Sequence, residues 1–516
     1  MRGTGGGRRA DPRASRPSRW ALLAAGLTIL LMLAVRGVIY TSPTEYASAT
    51  ALVGPIVASG PNLVDAASGH IVDLKGTNSP PEGFDSASIA TLKNWGANFA
   101  RVWVSDDLYE QHCRNEVYQP NYVSSIDAEV NALTSQGIFV VIVDGSTNPA
   151  CTFAHPQPSG AAPLPGPDSL AMFASLAQAF GSNPLVGFEP YNEPQVCPDG
   201  AQESSPLVPA SQLGQDLELV YPQNALTDPG SRTSVPTFGT CDGWEGGYPN
   251  PSRSNWSQEQ ANSLAAYALF HGGIVQTVVG FNRVTYAGQG FQTIVDTLRA
   301  NGATNSAIFI DSNLYATDPS TFDYLTTQPT CESDSAGIPF SPCWHLTNYV
   351  GVEHYYSCQQ ASTNLAVTRD TCGSTVPESC QVVSADLSTL LSDPATGQPW
   401  SVPVVIDEFG WPQPAPLPGA TAYYGNDGKP ILVYQHGLFM QNVIGYLDAH
   451  HTGWAAFSWD NADQDGGHQG PYVLEGNVPP PTASNTPWFP NADGEPVHAS
   501  MGGQSLPCQD PPPGFG

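Results

Sequence analysis

The chain has 516 residues, 41% hydrophobic and 12% charged, which is too long for one small domain and too apolar for a disordered chain. Its net charge is −29, and seven of the 17 basic residues lie in the first 36 positions, so residues 37–516 carry −35. A body this acidic repels phosphate, which excludes nucleic acid and anionic lipid surfaces as its partners and leaves neutral or cationic ligands.

The N-terminus opens with Arg2, Arg8, Arg9, Arg13, Arg16 and Arg19, followed by an apolar run at 20–35 and then Arg36. That run exceeds a usual signal-peptide core and falls short of the ~20 residues of a comfortable membrane span. The positive flank keeps its own end in the cytoplasm, and Ala47-Ser48-Ala49 resembles a small-residue cleavage site. Residues 1–50 are therefore expected to be a cleaved signal peptide or a retained anchor, the part of the chain that contacts the membrane. The remainder is expected to be extracytoplasmic, either secreted or anchored. All ten cysteines follow the apolar run, and an even count in an exported chain reads as disulfides. No Cys-x-x-Cys pair occurs, which argues against zinc ribbons and thioredoxin chemistry, and spacing does not assign the pairs.

From about residue 60, eight strand-like runs follow in order, at 71–76, 98–105, 138–144, 185–189, 307–312, 349–354, 402–408 and 453–459. Several are apolar on both faces, as in Gly-Ile-Phe-Val-Val-Ile-Val-Asp at 137–144, which is the pattern of parallel strands covered on both sides. Helical periodicity falls between them at 86–94, 123–135, 169–180, 290–300 and 432–449. Asp168 stands where an N-cap is expected, and Gly96, Gly137 and Gly181 stand where helices end. Eight such units predict an α/β fold, a (β/α)8 TIM barrel over 51–505. Long Pro/Gly/Ser/Asn-rich insertions interrupt it at 195–265, 313–345 and 460–500, and a Pro/Gly-rich tail follows at 506–516. A doubly wound sheet is disfavoured, because Lys75-Gly76-Thr77-Asn78-Ser79-Pro80-Pro81 after the first strand is no glycine-rich phosphate loop.

Barrels carry their chemistry at the C-terminal ends of the strands. Those ends supply Arg101 with Trp103, Asp144, Asn192-Glu193, His354 with Tyr356, Asp407-Glu408 and Trp459. There is no Gly-x-Ser-x-Gly elbow and no His-Glu-x-x-His spacing, so no metal and no cofactor is implied. Two glutamates on opposite strands, Glu193 and Glu408, are the pair that glycosidic cleavage needs, one giving a proton and one attacking carbon.

These residues carry a family resemblance. Phe188-Glu189-Pro190-Tyr191-Asn192-Glu193-Pro194 resembles the strand-4 Asn-Glu-Pro signature of glycoside hydrolase family 5, the cellulase and mannanase family of clan A. Val404-Val405-Ile406-Asp407-Glu408-Phe409-Gly410 resembles its strand-7 nucleophile segment. Residues 92–101, His354-Tyr355-Tyr356 and 454–459 fit strands 2, 6 and 8 in order.

The resemblance implies a retaining O-glycosyl hydrolase of endo-β-glucanase or mannanase type, with Glu193 as general acid/base and Glu408 as nucleophile. Asn192 would hold the sugar 2-hydroxyl, and Arg101 and Tyr356 would support the Glu408 carboxylate. His354 would line the same subsite, and Trp459 would form the sugar platform. Two positions depart from the family pattern: Ser146 stands where a sugar-binding His is expected, and Pro190 stands at a small or aliphatic position. The substrate is expected to be an oligo- or polysaccharide, or a glycolipid head group, bound by a monomer. A non-catalytic sugar-binding envelope protein and a transglycosylase using the same barrel are the alternative readings.

Overall fold

A computed structural model describes residues 52, 54–80, 83–110, 121–146, 162–198, 237–239, 265–266, 268–279, 282–319, 321–322, 346–356, 379–393, 396–410, 422–424, 430–459 and 494–509. All of these lie within one compact unit, Tyr46–Gly516. Eight strands close into a barrel: β1 (Lys75–Asn78), β2 (Phe99–Ser105), β3 (Phe139–Ser146), β4 (Val186–Glu189), β5 (Ile308–Asp311), β6 (Tyr349–Tyr356), β7 (Val404–Gly410) and β8 (Trp454–Ala456). Every ladder is parallel, and β8 pairs with β1 to close the ring. The (β/α)8 expectation holds.

The helices that cover the barrel are α1 (Ser86–Trp95), α2 (Tyr122–Ser135), α3 (Pro167–Phe180), α4 (Phe291–Ala300), α5 (Cys380–Leu390), α6 (Val433–Ala449) and α7 (Gly494–Met501). Asp85 caps α1 by accepting the Ser88 N–H at 2.7 Å, and Gly96 ends the helix at φ 94°, a conformation that favours glycine. Asp168 is not the cap of α3. Gly166 takes that place, and Pro167 opens the helix with its fixed φ, leaving Asp168 in the first turn.

Alternation along the strands divides the core into two layers. Phe99, Phe139, Val141, Phe309, Val350, Val352 and Val405 point inward, while Ala100, Val102, Ile138, Val140, Ile142 and Ile406 point out to the helices. Phe99, Phe139 and Phe309 meet with ring centroids 6.1–6.4 Å apart and fill the floor beneath the strand ends. Barrel interiors of this kind are packed rather than open, so functional groups project only above the floor.

The first and last strands are displaced from their expected limits. Ile71 is engaged in an isolated bridge to Val64, so the barrel ladder starts at Lys75. At the other end, pairing stops at Ala456, three residues short of Trp459. The insertion after β4 is not all loop. It contributes strands Cys197–Pro198, Thr237–Gly239, Gly272–Val279 and Asn282–Gln289 to a separate four-stranded sheet. Helices α5 and α7 were also not anticipated.

No described helix is long and apolar enough to cross a membrane; the 20–35 run lies outside the described residues. So do Cys113, Cys151, Cys241, Cys331, Cys343, Cys358 and Cys372.

A Cys380–Cys508 disulfide joins the start of α5 to the C-terminal segment, 128 residues apart in sequence. That segment lies along α6. Gln441 donates to the Pro507 carbonyl at 2.8 Å, and Asn442 exchanges two hydrogen bonds with the Gln509 backbone at 2.7 and 2.9 Å. Residues 506–509 thus belong to the packed body. Removing the crosslink with Cys508→Ser is expected to cost about 2–5 kcal/mol. Thermal melts of the variant and the wild type check this; an unchanged midpoint would show that the hydrogen bonds to α6 suffice.

Candidate active site

The inward-facing residues above the phenylalanine floor are polar and charged. Arg101 on β2 is completely buried, and its five N–H groups meet five acceptor positions. Nε and Nη2 bond the two oxygens of Glu189, the former at 2.9 Å. Nη1 donates to Asn78 Oδ1 and Glu408 Oε2, both at 2.9 Å, and Nη2 donates to Asn192 Oδ1 at 2.6 Å. Asp407 Oδ2 lies 3.3 Å from Nε. Burial opposes a charged guanidinium, yet Asp407, Glu189 and Glu408 hold the Arg101 pKa well above its ordinary value.

Two consecutive acids, Asp407 and Glu408, both turn inward because the β6–β7 register shifts. Glu353 pairs with Ile406 and His354 pairs with Glu408, leaving Asp407 as an extra residue on β7. Glu408 receives the Tyr356 hydroxyl on Oε1 at 2.5 Å and Arg101 on Oε2. Burial pushes the Glu408 carboxyl above its ordinary pKa, and Glu193 adds to the rise. His354, Arg101 and Tyr356 pull the other way, as expected of groups supporting a carboxylate, but burial outweighs them. Asp407 shows the opposite balance: burial alone would raise it, but Arg101 and His354 hold it below the usual carboxylate range.

His354 on β6 stands between the acids. Its Nδ1 lies 3.0 Å from Glu193 Oε1 and 3.9 Å from Glu408 Oε2, and its Nε2 lies 3.2 Å from Asp407 Oδ1 and 3.8 Å from Asp311 Oδ2. Burial disfavours the imidazolium, but Glu408, Asp407, Glu193 and Asp311 together hold the His354 pKa well above the imidazole norm. Two trios are crowded enough to surround a cation: Glu193, His354 and Glu408, and Asp311, His354 and Asp407. Both include His354, and its own charge supplies the positive partner to these carboxylates.

Glu193 follows β4 at φ 51°, in the left-handed region, and its side chain is nearly buried. Its backbone N–H donates to Asp311 Oδ2 at 2.7 Å. Beside it, Asn192 spends Oδ1 on Arg101, while Nδ2 is buried and finds no partner among the described residues. An amide donor so placed can serve a bound hydroxyl.

The structure therefore brings together Glu193, Glu408, Arg101, Asn192, His354 and Tyr356. Trp459 is not with them. Its ring is 2% exposed and packs in the outer core, 4.9 Å from the Trp95 ring and 6.5 Å from Phe84. Strand pairing ends before it, so alternation with Phe457 no longer sets its direction. Phe457 is a half-buried ring beside the site, 6.0 Å from Trp103 and 6.4 Å from Tyr356. Trp103 is fixed by a 3.1 Å hydrogen bond from Nε1 to Asn78 Oδ1 and lies against Gly145, where a Cβ would come within 2.6 Å of the indole.

Asp144 points outward, bonded through Oδ2 to Ser169 of α3 at 2.6 Å, and so belongs to the strand–helix layer. Asn78, Glu189 and Asp311 are site residues that the sequence reading did not assign. Their strand-end positions were the available signal. Trp244 and Trp411, aromatic candidates for extending a sugar cleft, the acid Asp460 after β8 and the Asn255-Trp256-Ser257 glycosylation sequon lie outside the described residues, and of Ser146 only its place at the end of β3 is described.

The Tyr356 hydrogen bond favours the ionised form of Glu408. Tyr356→Phe is therefore expected to raise the Glu408 pKa, read by carbon-13 NMR or infrared titration of the carboxyl. A pKa that stays in place would show that Arg101 and His354 alone set it.

Residues 65–208 match the family model described as Cellulase (glycosyl hydrolase family 5). Among solved structures, the chain is similar to the catalytic domain of Thermobifida fusca endoglucanase Cel5A in complex with cellotetraose. That match has 15% identity, 87% of this chain and 97% of that chain covered, and a TM-score of 0.44. It is also similar to a β-mannanase from Streptomyces thermolilacinus with mannohexaose, at 13% identity, 82% and 89% coverage and a TM-score of 0.40. A β-mannanase from Thermomonospora fusca gives the same values. No curated protein matches the chain.

Proposed function

We propose that this chain is a retaining O-glycoside hydrolase that cleaves a β-linked glycan by double displacement. The observation that carries the reading is the spacing of the two acids: a carboxylate oxygen of Glu193 and one of Glu408 lie within 4.8 Å. Retaining enzymes hold their carboxyls about 5–5.5 Å apart, whereas inverting enzymes leave about 6.5–9.5 Å for a water molecule. The match of residues 65–208 to the family 5 model supports the same class.

In the first step, a Glu408 oxygen attacks the anomeric carbon while Glu193 delivers its proton to the departing glycosidic oxygen. In the second, Glu193 takes a proton from water, the water oxygen attacks the same carbon, and the Glu408 carboxylate leaves. Arg101 and Tyr356 offset the negative charge on Glu408 whenever it is free. His354, bonded to Glu193 and close to Glu408, sits between the two roles. Asn192 Nδ2 is the donor available to a sugar hydroxyl, and Phe457 takes the platform role expected of Trp459.

The substrate is a β-glucan, a β-mannan or a glycolipid head group, taken by a monomer. The Arg-rich flank, the apolar run at 20–35 and the ten later cysteines support export, as a secreted or anchored protein.

Aryl β-glycosides test the reading. Proton NMR of the first-formed sugar is expected to show the β-anomer, and an α-anomer would rule out the double displacement. Glu408→Ala is expected to abolish turnover whatever the leaving group, whereas Glu193→Ala should form the glycosyl-enzyme from a dinitrophenyl glycoside and be rescued by azide as a β-glycosyl azide. Retention of full activity in both variants would place the site elsewhere, and wild-type protein that binds glycans without turning them over would favour a sugar-binding role.

A further inference from the structure

Glu193 is held in a conformation that its own segment does not favour. A non-glycine residue at positive φ is strained by about 1–2 kcal/mol, and the ring of Pro194 narrows its choices further. A conformation of this kind persists only where the surroundings enforce it. The enforcing contact comes from the neighbouring strand of the barrel: Asp311, the last residue of β5, accepts the Glu193 N–H on Oδ2 at 2.7 Å. Asp311 is completely buried, so no water competes for that bond. The contact spans 118 residues of sequence and joins the β4 end to the β5 end.

We propose that Asp311 is a positioning residue for Glu193, fixing its left-handed backbone so that the carboxyl stays within reach of His354 and the substrate oxygen. The inference rests on the assignment of Glu193 as proton donor. The geometry makes the dependence specific. Released from Asp311, Glu193 can relax to negative φ, which swings its side chain off the His354 Nδ1 contact at 3.0 Å. Glu408 would keep its two hydrogen bonds, because their donors Arg101 and Tyr356 come from β2 and β6. Loss of Asp311 should therefore imitate loss of the proton donor and spare the nucleophile.

The test compares Asp311→Val, which removes the acceptor at similar volume, with Asp311→Asn, which keeps an acceptor oxygen. Glu193→Ala runs alongside, and the substrates are phenyl and dinitrophenyl β-cellobiosides and β-mannobiosides. For Asp311→Val, kcat/KM on the phenyl glycoside is expected to fall on the order of 10²-fold, the low end of general-acid contributions. On the dinitrophenyl glycoside kcat/KM should stay close to wild type, with azide restoring kcat. Asp311→Asn should keep most of the activity on both substrates. Equal losses on both substrates in a folded Asp311→Val would overturn the proposal, as would wild-type behaviour. Should Asp311→Val not fold, Asp311→Ser, whose hydroxyl is too short to reach the N–H, replaces it under the same criteria. An Asp311→Asn as impaired on the phenyl glycoside as Glu193→Ala would also overturn it. If Glu193→Ala itself shows no leaving-group dependence, the proton-donor assignment fails; if it does and Asp311→Val does not, only the positioning role fails.

Discussion

A guanidinium with no exposure to water needs every donor answered, and that requirement organises the upper half of this barrel. Arg101 on β2 uses its five N–H groups on Glu189 of β4, Asn78 of β1, Glu408 of β7 and Asn192 beyond β4. Desolvating such a cation is expensive, and only charged and well-aligned partners offset the cost. The partners are thereby fixed as firmly as the arginine. Asn78 extends the constraint by donating to the Asp407 carbonyl at 2.8 Å, which ties β1 to the strand bearing the second acid. The planar fork of Arg101 thus sets where one carboxylate oxygen of Glu408 must lie.

Around this cation the site separates its two glutamates by environment. Glu408 is answered by a permanent cation and a phenol, Glu193 by an imidazole and a backbone contact. His354 belongs to both halves, since its Nδ1 faces Glu193 and Glu408 while its Nε2 is steadied by Asp407. The acids attract two cations and also repel one another. Burial raises Asp311 to about 7, whereas Asp407, beside both cations, stays low. The layer is therefore a graded set of carboxyls in which neighbours decide which ones carry charge.

The barrel was legible in the sequence because its strands are covered on both faces and separated by helices of clear periodicity, one of them ended by a glycine cap at Gly96. The strand-end residues Glu193, Glu408, Arg101, Asn192, His354 and Tyr356 follow once each strand is placed. What escaped are features that do not obey alternation. Asp407 and Glu408 face inward together only through a register shift, which no local periodicity announces. Trp459 shares a parity with Phe457, but pairing ends at Ala456, and the two rings enter different surroundings. Asp311 looks like an ordinary strand-end acid, and its contact with Glu193 exists only once β5 has paired with β4 across 118 residues of chain.

The extra residue on β7 also has a meaning at the level of the gene. Without the codon for Asp407, Val405 and Glu408 would still face inward and Ile406 and Phe409 outward, so neither packed layer would change sides. The barrel could close as before, lacking only the anion shared by Arg101 Nε and His354 Nε2. An in-frame loss of three nucleotides would thus remove one charge from the site while leaving both packed layers of the barrel in place.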